Sequence, residues 1–161
     1  ICRKYSSIDH IFDRKISFEE DVMLYSIDDC KLLKLPKGLD SNFTRLDNRT
    51  SLPFEVKRIY YLYAIPENQE RGAHAHKELF QLLLAASGSF TVELDDGKST
   101  KKLFLNQPSQ GLLIKPGIWR NLTDFSFGSV ALVLASEYYT ETDYIRNYDE
   151  FLKYRKMNAA H

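Results

Sequence analysis

Two of the four histidines, His74 and His76, stand two residues apart in Arg71-Gly72-Ala73-His74-Ala75-His76-Lys77. Successive side chains of an extended strand alternate faces, so both imidazoles point one way, with Ala73 and Ala75 behind them. Lys77 alternates away from the pair. Imidazole titrates near neutrality, so each ring can take or give a proton at cellular pH. A fitting target is a hydrogen alpha to a ketone. A weak base removes it when the resulting enolate oxygen meets a hydrogen bond or a positive charge. The competing reading is a pair of surface histidines on a strand edge.

The elements that must carry this pair are strands. Val56 to Tyr63 is β-branched and aromatic, and Gln81 to Ala86 reads as a buried run. Phe90 to Leu94 alternates and closes on Asp95-Asp96-Gly97, a hairpin signal, with Lys101 to Leu105 returning as its partner. Gly111 to Lys115 and Ser129 to Ala135 continue the series, and Met23 to Ile27 and Cys30 to Leu35 add short strands ended by Pro36 and Gly38. Short strands between turns predict an all-β antiparallel sandwich or barrel. Only the tail has helical spacing. A helix is expected over 142–155, with Tyr144, Tyr148, Phe151 and Leu152 on one face packed against the sheet.

At 161 residues, without repeats or low-complexity linkers, the chain is expected to form one domain over 1–161, with an N-terminal extension at 1–28 that shows no clear period. The 22 Lys and Arg balance 22 Asp and Glu, so no basic surface for nucleic acid or membrane is expected, and an anionic ligand needs a local cluster. Cys2 and Cys30 lack a partner motif and read as free thiols in a reducing compartment. With no membrane-length apolar run and no basic-then-apolar leader, the cytoplasm is the expected location.

The histidine pair resembles the first motif of the cupins, jelly-roll proteins in which His-x-His is followed by a carboxylate and then a glycine. Here these positions read His74, His76, Gln81 and Gly88. The second cupin motif, Pro-Gly followed by a histidine, resembles Pro116-Gly117-Ile118-Trp119-Arg120. Gln81 thus stands where a metal cupin has its carboxylate, and Arg120 where it has its third histidine. An amide is a weak ligand and a guanidinium is none, so the pocket is expected to hold no metal and no cofactor. What remains is two imidazoles, an amide and a fixed cation.

Further runs make the resemblance narrower. Ser87-Gly88-Ser89-Phe90, Leu94-Asp95-Asp96-Gly97-Lys98, Leu132-Val133-Leu134-Ala135-Ser136 and the closing Asp143-Tyr144-Ile145-Arg146-Asn147-Tyr148-Asp149-Glu150-Phe151 are together similar to the dTDP-sugar 3,4-ketoisomerases of the WxcM-like cupin group, over about residues 30 to 155. The resemblance implies a metal-independent cytoplasmic homodimer with exchanged N-terminal strands. It also implies conversion of dTDP-4-keto-6-deoxyglucose to a 3-keto isomer, for 3-amino-3,6-dideoxyhexoses of surface glycans. His74 would then be the base at C3 and His76 the relay between O3 and O4 through an enediol, or the two rings the reverse, and Arg120 the charge that steadies the enediolate or orients the sugar. An arginine at this position points to the gluco product, dTDP-3-keto-6-deoxyglucose. The interval Gly38 to Arg45 lacks the Arg-Gly or Tyr-Gly pair usual in the group, which bears on the configuration at C4.

For the diphosphate of such a substrate, Arg58 and Arg71 are the candidate cations. Tyr60 and Trp119 are candidate stacking surfaces, and Gln81 a hydrogen-bond partner that orients the sugar. Two other readings stay open at this stage: a nucleotide-sugar-binding cupin without turnover, and a metal-dependent cupin enzyme.

Overall fold

The computed structural model describes residues 24–37, 42–48 and 52–159. Ten strands are present among them: β1 (Lys31–Lys34), β2 (Arg58–Tyr63), β3 (Arg71–His76), β4 (Gln81–Ser87), β5 (Phe90–Asp95), β6 (Thr100–Leu105), β7 (Gln110–Ile114), β8 (Trp119–Thr123), β9 (Val130–Ala135) and β10 (Tyr144–Ile145). They form two antiparallel sheets, ordered β1-β7-β4-β9-β2 and β10-β3-β8-β5-β6. From β3 onward the chain passes repeatedly from one sheet to the other, which is the winding of a jelly roll. The expected all-β class is therefore the observed one.

Between the sheets, Leu83, Leu112, Ile114 and Val133 meet Phe90, Val92, Leu94 and Leu122, and Ile27, Cys30 and Ile118 complete this core. The run Leu82-Leu83-Leu84-Ala85 does not alternate with polar residues because β4 is covered on both faces. Its outer side, with Leu113 and Leu134, lies under Leu35, Leu46, Leu52, Phe54 and Val56. β5, by contrast, alternates buried and half-buried positions along its whole length. The predicted hairpin forms between β5 and β6. Asp96 Oδ1 accepts from the Lys98 and Ser99 amides at 2.9 Å, and its Oδ2 from the Ile27 amide at 3.1 Å, tying the turn to the start of the described chain.

Four expectations about elements need correction. Ile27–Asp29 is a single 3-10 turn and residues 24–26 carry no strand, because Asp29 folds back to accept from the Ser26 amide at 2.8 Å; Met23 lies outside the described residues. The terminal helix, α1, spans Tyr148–Asn158 and starts later than expected. Asn147 caps it by accepting from the Glu150 amide at 3.0 Å, so Tyr144 stands before the helix, in β10. β8 and β10 escaped the strand pattern, the first because Trp-Arg-Asn-Leu-Thr is half polar and the second because it is two residues long. Phe151 of α1 packs on Ala75, Ile145 and Trp119 and so covers the outer face of β3 and β8. Cys30 is a buried free thiol, and Cys2 lies outside the described residues. No described helix is long and apolar enough to cross a membrane.

Candidate active site

β3 enters the site through a bulge. Arg71 and Gly72 pair with Leu122 and Asn121, whereas His74 pairs with Arg120, so Ala73 is an extra residue on one strand. Gly72 has φ +98° and Ala73 φ 50°, and a Cβ on Gly72 would sit 3.0 Å from the Arg120 carbonyl oxygen. Only glycine fits there without strain. The extra residue changes the parity of the strand. Arg71 would face away from His74 on a regular strand, yet both line the same cavity.

That cavity, of about 260 Å³, opens between the sheets and is lined by Tyr60, Arg71, His74, Gln81, Arg120 and Tyr144 over an apolar floor of Leu83, Ile114, Leu122 and Val133. It suits a sugar ring more than a nucleotide, which would extend through the mouth.

The two imidazoles stand edge to face with ring centroids 4.9 Å apart. His74 Nδ1 is 3.0 Å from the Gly72 carbonyl oxygen, and His76 Nδ1 is 2.7 Å from Asp143 Oδ2. Carbonyls and carboxylates only accept, so each ring carries its hydrogen on Nδ1 and leaves a lone pair on Nε2. Both Nε2 atoms are buried and unpartnered. Burial, then the charge of Arg120, lowers His74 to about 3. His76 falls to about 4 through burial, against the opposing pull of its Asp143 hydrogen bond. Both rings are therefore neutral bases at cellular pH. His74 is on the cavity wall; His76, buried at 0% exposure, adjoins it and packs against Tyr144 at 4.2 Å.

Arg120 lies across the ladder from His74 and donates from Nη1 to the His74 carbonyl at 3.2 Å. Its Nε and Nη2 have no partner, although the side chain is 2% exposed. Burial draws its pKa down to about 10, which leaves it charged at neutral pH. A buried guanidinium with two idle donors facing a cavity is a site for negative charge. Gln81 Nε2 donates to Tyr60 Oη at 2.9 Å, so both are held in the wall by each other.

His74, Arg120, Arg71, Tyr60 and Gln81 thus come together as expected, with His76 adjoining. Two other candidates do not line the cavity. Trp119 faces outward and packs on Tyr148 and Phe151 at 5.2 and 5.5 Å; neighbours on a strand alternate, so Trp119 must point away once Arg120 points in. Arg58 stacks over Tyr60 at 5.2 Å and Tyr139 at 5.5 Å, beside the cavity, where its charge adds to the field that lowers His76. Sequence reasoning missed Asp143, Tyr144 and Arg146. Tyr144 pairs with His76 across β3–β10 and touches both imidazoles, and Arg146 stacks 4.1 Å over Tyr144 while pairing with Glu141 at 2.6 Å. The available signal was Asn147 with Glu150 three residues on, which marks a helix start and leaves 143–146 free to pair. Among the described residues, no three His, Cys, Asp or Glu side chains converge as a metal ligand set.

A jelly roll with two imidazoles and a buried guanidinium gathered at one cavity defines a cupin. The model of the FdtA family, described as WxcM-like, C-terminal, matches residues 28–156, and the chain belongs to that family. It is 42% identical over 126 residues to TDP-4-oxo-6-deoxy-alpha-D-glucose-3,4-oxoisomerase of Aneurinibacillus thermoaerophilus, spanning 77% of this chain and 91% of that protein. Among solved structures, the WlaRB TDP-quinovose 3,4-ketoisomerase of Campylobacter jejuni is 46% identical, with TM-score 0.73 over 78% of this chain and 98% of that one. A His-to-Asn mutant of the 3,4-ketoisomerase QdtA from Thermoanaerobacterium thermosaccharolyticum, in complex with TDP-4-keto-6-deoxyglucose, is 41% identical, with TM-score 0.77 over 80% and 94%.

Proposed function

We propose that this chain is an isomerase that converts dTDP-4-keto-6-deoxyglucose to its 3-keto isomer. The observation that carries this is the pairing, in one cavity, of an unpartnered imidazole Nε2 on His74 with the unpartnered Nε and Nη2 donors of Arg120. His74 removes the C3 hydrogen, and Arg120 receives the charge that develops on the enediolate oxygens. Burial keeps His74 unprotonated, and the enediolate beside it offsets the cost of the imidazolium that forms. Protonation at C4 from the same ring completes the carbon-to-carbon transfer, while His76 relays the hydroxyl proton from O3 to O4. Tyr60 and Gln81 orient the sugar, and the diphosphate is met by Arg71 on the cavity wall and by Arg58, which stacks on Tyr60.

Arg120 and the likeness to the TDP-quinovose enzyme support the gluco product, dTDP-3-keto-6-deoxyglucose. We place the reaction in the cytoplasm, ahead of amination at C3 for surface glycans. We further take the active form to be a homodimer, which the outward row Ile59, Tyr61 and Tyr63 supports, each at least 60% exposed. We also take N-terminal strands to be exchanged between the two copies, as the family resemblance implies.

The test is incubation with dTDP-4-keto-6-deoxyglucose in heavy water, read by NMR. A 3-keto product with deuterium at C4, and recovered 4-keto substrate with deuterium at C3, are expected from the native chain, and neither from His74→Asn, which should still fold and bind TDP. Binding without product or exchange would make the chain a sugar-binding cupin. Loss of activity on chelation of a stoichiometric transition metal would make it a metal enzyme.

A further inference from the structure

Asp143 lies in the 3-10 turn Glu141–Asp143 before β10, in sequence far from the histidines, and every acceptor position it offers is directed at the β3 end. Its Oδ1 accepts from the Lys77 amide at 3.0 Å and the Glu78 amide at 2.8 Å, its backbone carbonyl also accepts from the Lys77 amide at 3.0 Å, and its Oδ2 takes the His76 Nδ1 hydrogen at 2.7 Å. The carboxylate cannot rotate without breaking the three bonds made by its side-chain oxygens. Burial opposes its ionisation, yet the His76 and amide hydrogen bonds outweigh burial and hold the carboxyl below its ordinary range. His74 has no such counterion; its Nδ1 meets the neutral carbonyl of Gly72. The two imidazoles are therefore unequal: one is backed by a fixed negative charge and the other by a dipole.

We propose that Asp143 is the positioning residue that divides the labour of the two rings, fixing His76 as the Nδ1–H tautomer and assigning it the oxygen-to-oxygen proton while His74 handles carbon. This rests on the ketoisomerase reading above. In the step assigned to His76, the O3–H bond breaks as the Nε2–H bond forms, and the electron pair left on O3 makes the new carbonyl. The proton then leaves Nε2 for O4, the enediolate oxygen left from the old carbonyl, which thereby becomes the new hydroxyl, so the ring ends as it began. In between, His76 is an imidazolium, and the Asp143 carboxylate is the group that stabilises it. The charged and titratable groups around His76 are Asp143 and Tyr144 from the β10 segment, His74 on β3, Arg120 on β8 and Arg58 on β2. Only Asp143 among them is an anion.

Asp143→Asn keeps the size of the side chain and one carbonyl acceptor for the amides, but its NH2 group would donate to His76 Nδ1 and drive the hydrogen to Nε2. Nitrogen-15 NMR of labelled protein reads this directly, with no need for turnover: His76 is expected as the Nδ1–H tautomer in the native chain and as Nε2–H in the variant. Product formation should fall roughly 100-fold or more, the order that loss of an imidazole-orienting group costs, with KM near its native value. Deuterium exchange at C3, which needs only His74, should fall much less. Asp143→Glu, which keeps the charge, should recover part of the rate. A native His76 already protonated at Nε2, or exchange and product formation falling in equal proportion, overturns the proposal; should Asp143→Asn fail to fold, the native tautomer and the Asp143→Glu exchange ratio decide it. A native chain that shows the Nδ1–H tautomer but never isomerises the keto sugar instead brings down the underlying ketoisomerase reading, and this role with it.

Discussion

Arg120 sits directly opposite His74 in the β3–β8 ladder, and its Nη1 donates 3.2 Å to the His74 backbone, not to any carboxylate. Cross-strand partners share a face, so the cation and the base are forced into the same cavity by register alone. The arrangement costs stability, because a buried charge without a counterion is poorly compensated.

Arg120→Met should therefore separate function from folding. We expect the thermal midpoint to hold or rise, since an apolar side chain replaces an unpaired cation, while kcat falls by about 100- to 1000-fold, the scale for losing a charge-stabilising donor. A melting curve and a turnover assay on the same preparation check both. A destabilised variant that keeps its turnover would contradict both expectations.

Gly72→Ala tests the bulge. The backbone at φ +98° and the 3.0 Å approach of a Cβ to the Arg120 carbonyl should together cost about 1–3 kcal/mol in denaturant unfolding. Relief of that strain would move the Gly72 carbonyl that holds His74 Nδ1, so activity should fall by more than the loss of folded protein explains.

The depressed histidines set a pH window. Both start from 6.5 and fall to about 3 and about 4 in the folded chain, so between 6.5 and 4 the unfolded chain binds protons that the native chain refuses. Stability should decline as the pH drops through that interval, with little contribution from these groups above 6.5. In the free enzyme, kcat/KM should show no histidine-type acid limb near 6.5. Chemical denaturation at a series of pH values and a pH–rate profile check the two halves separately.

Trp119→Leu should leave KM unchanged, because the indole packs under Tyr148 and Phe151 on the far side of β8 from the cavity. The expected loss is in stability, about 1–3 kcal/mol for trimming a half-buried aromatic. A raised KM with unchanged stability would return Trp119 to the binding site.

The sequence by itself determined the sandwich, the shared face of His74 and His76, the β5–β6 hairpin and the presence of a cation in place of a third histidine. These follow from the period of two along a strand, from turn chemistry and from the residue types, all of which are local. The tertiary structure alone decided three things. It placed the extra residue at Ala73, which brings Arg71 to the cavity; it turned Trp119 outward as Arg120 turned in; and it carried Asp143 and Tyr144 back to the histidines by pairing β10 with β3. The physical reason is the same in each case. A bulge, a register and a two-residue strand are selected by the partner strand across the ladder, and the pattern of a single segment holds no record of that partner.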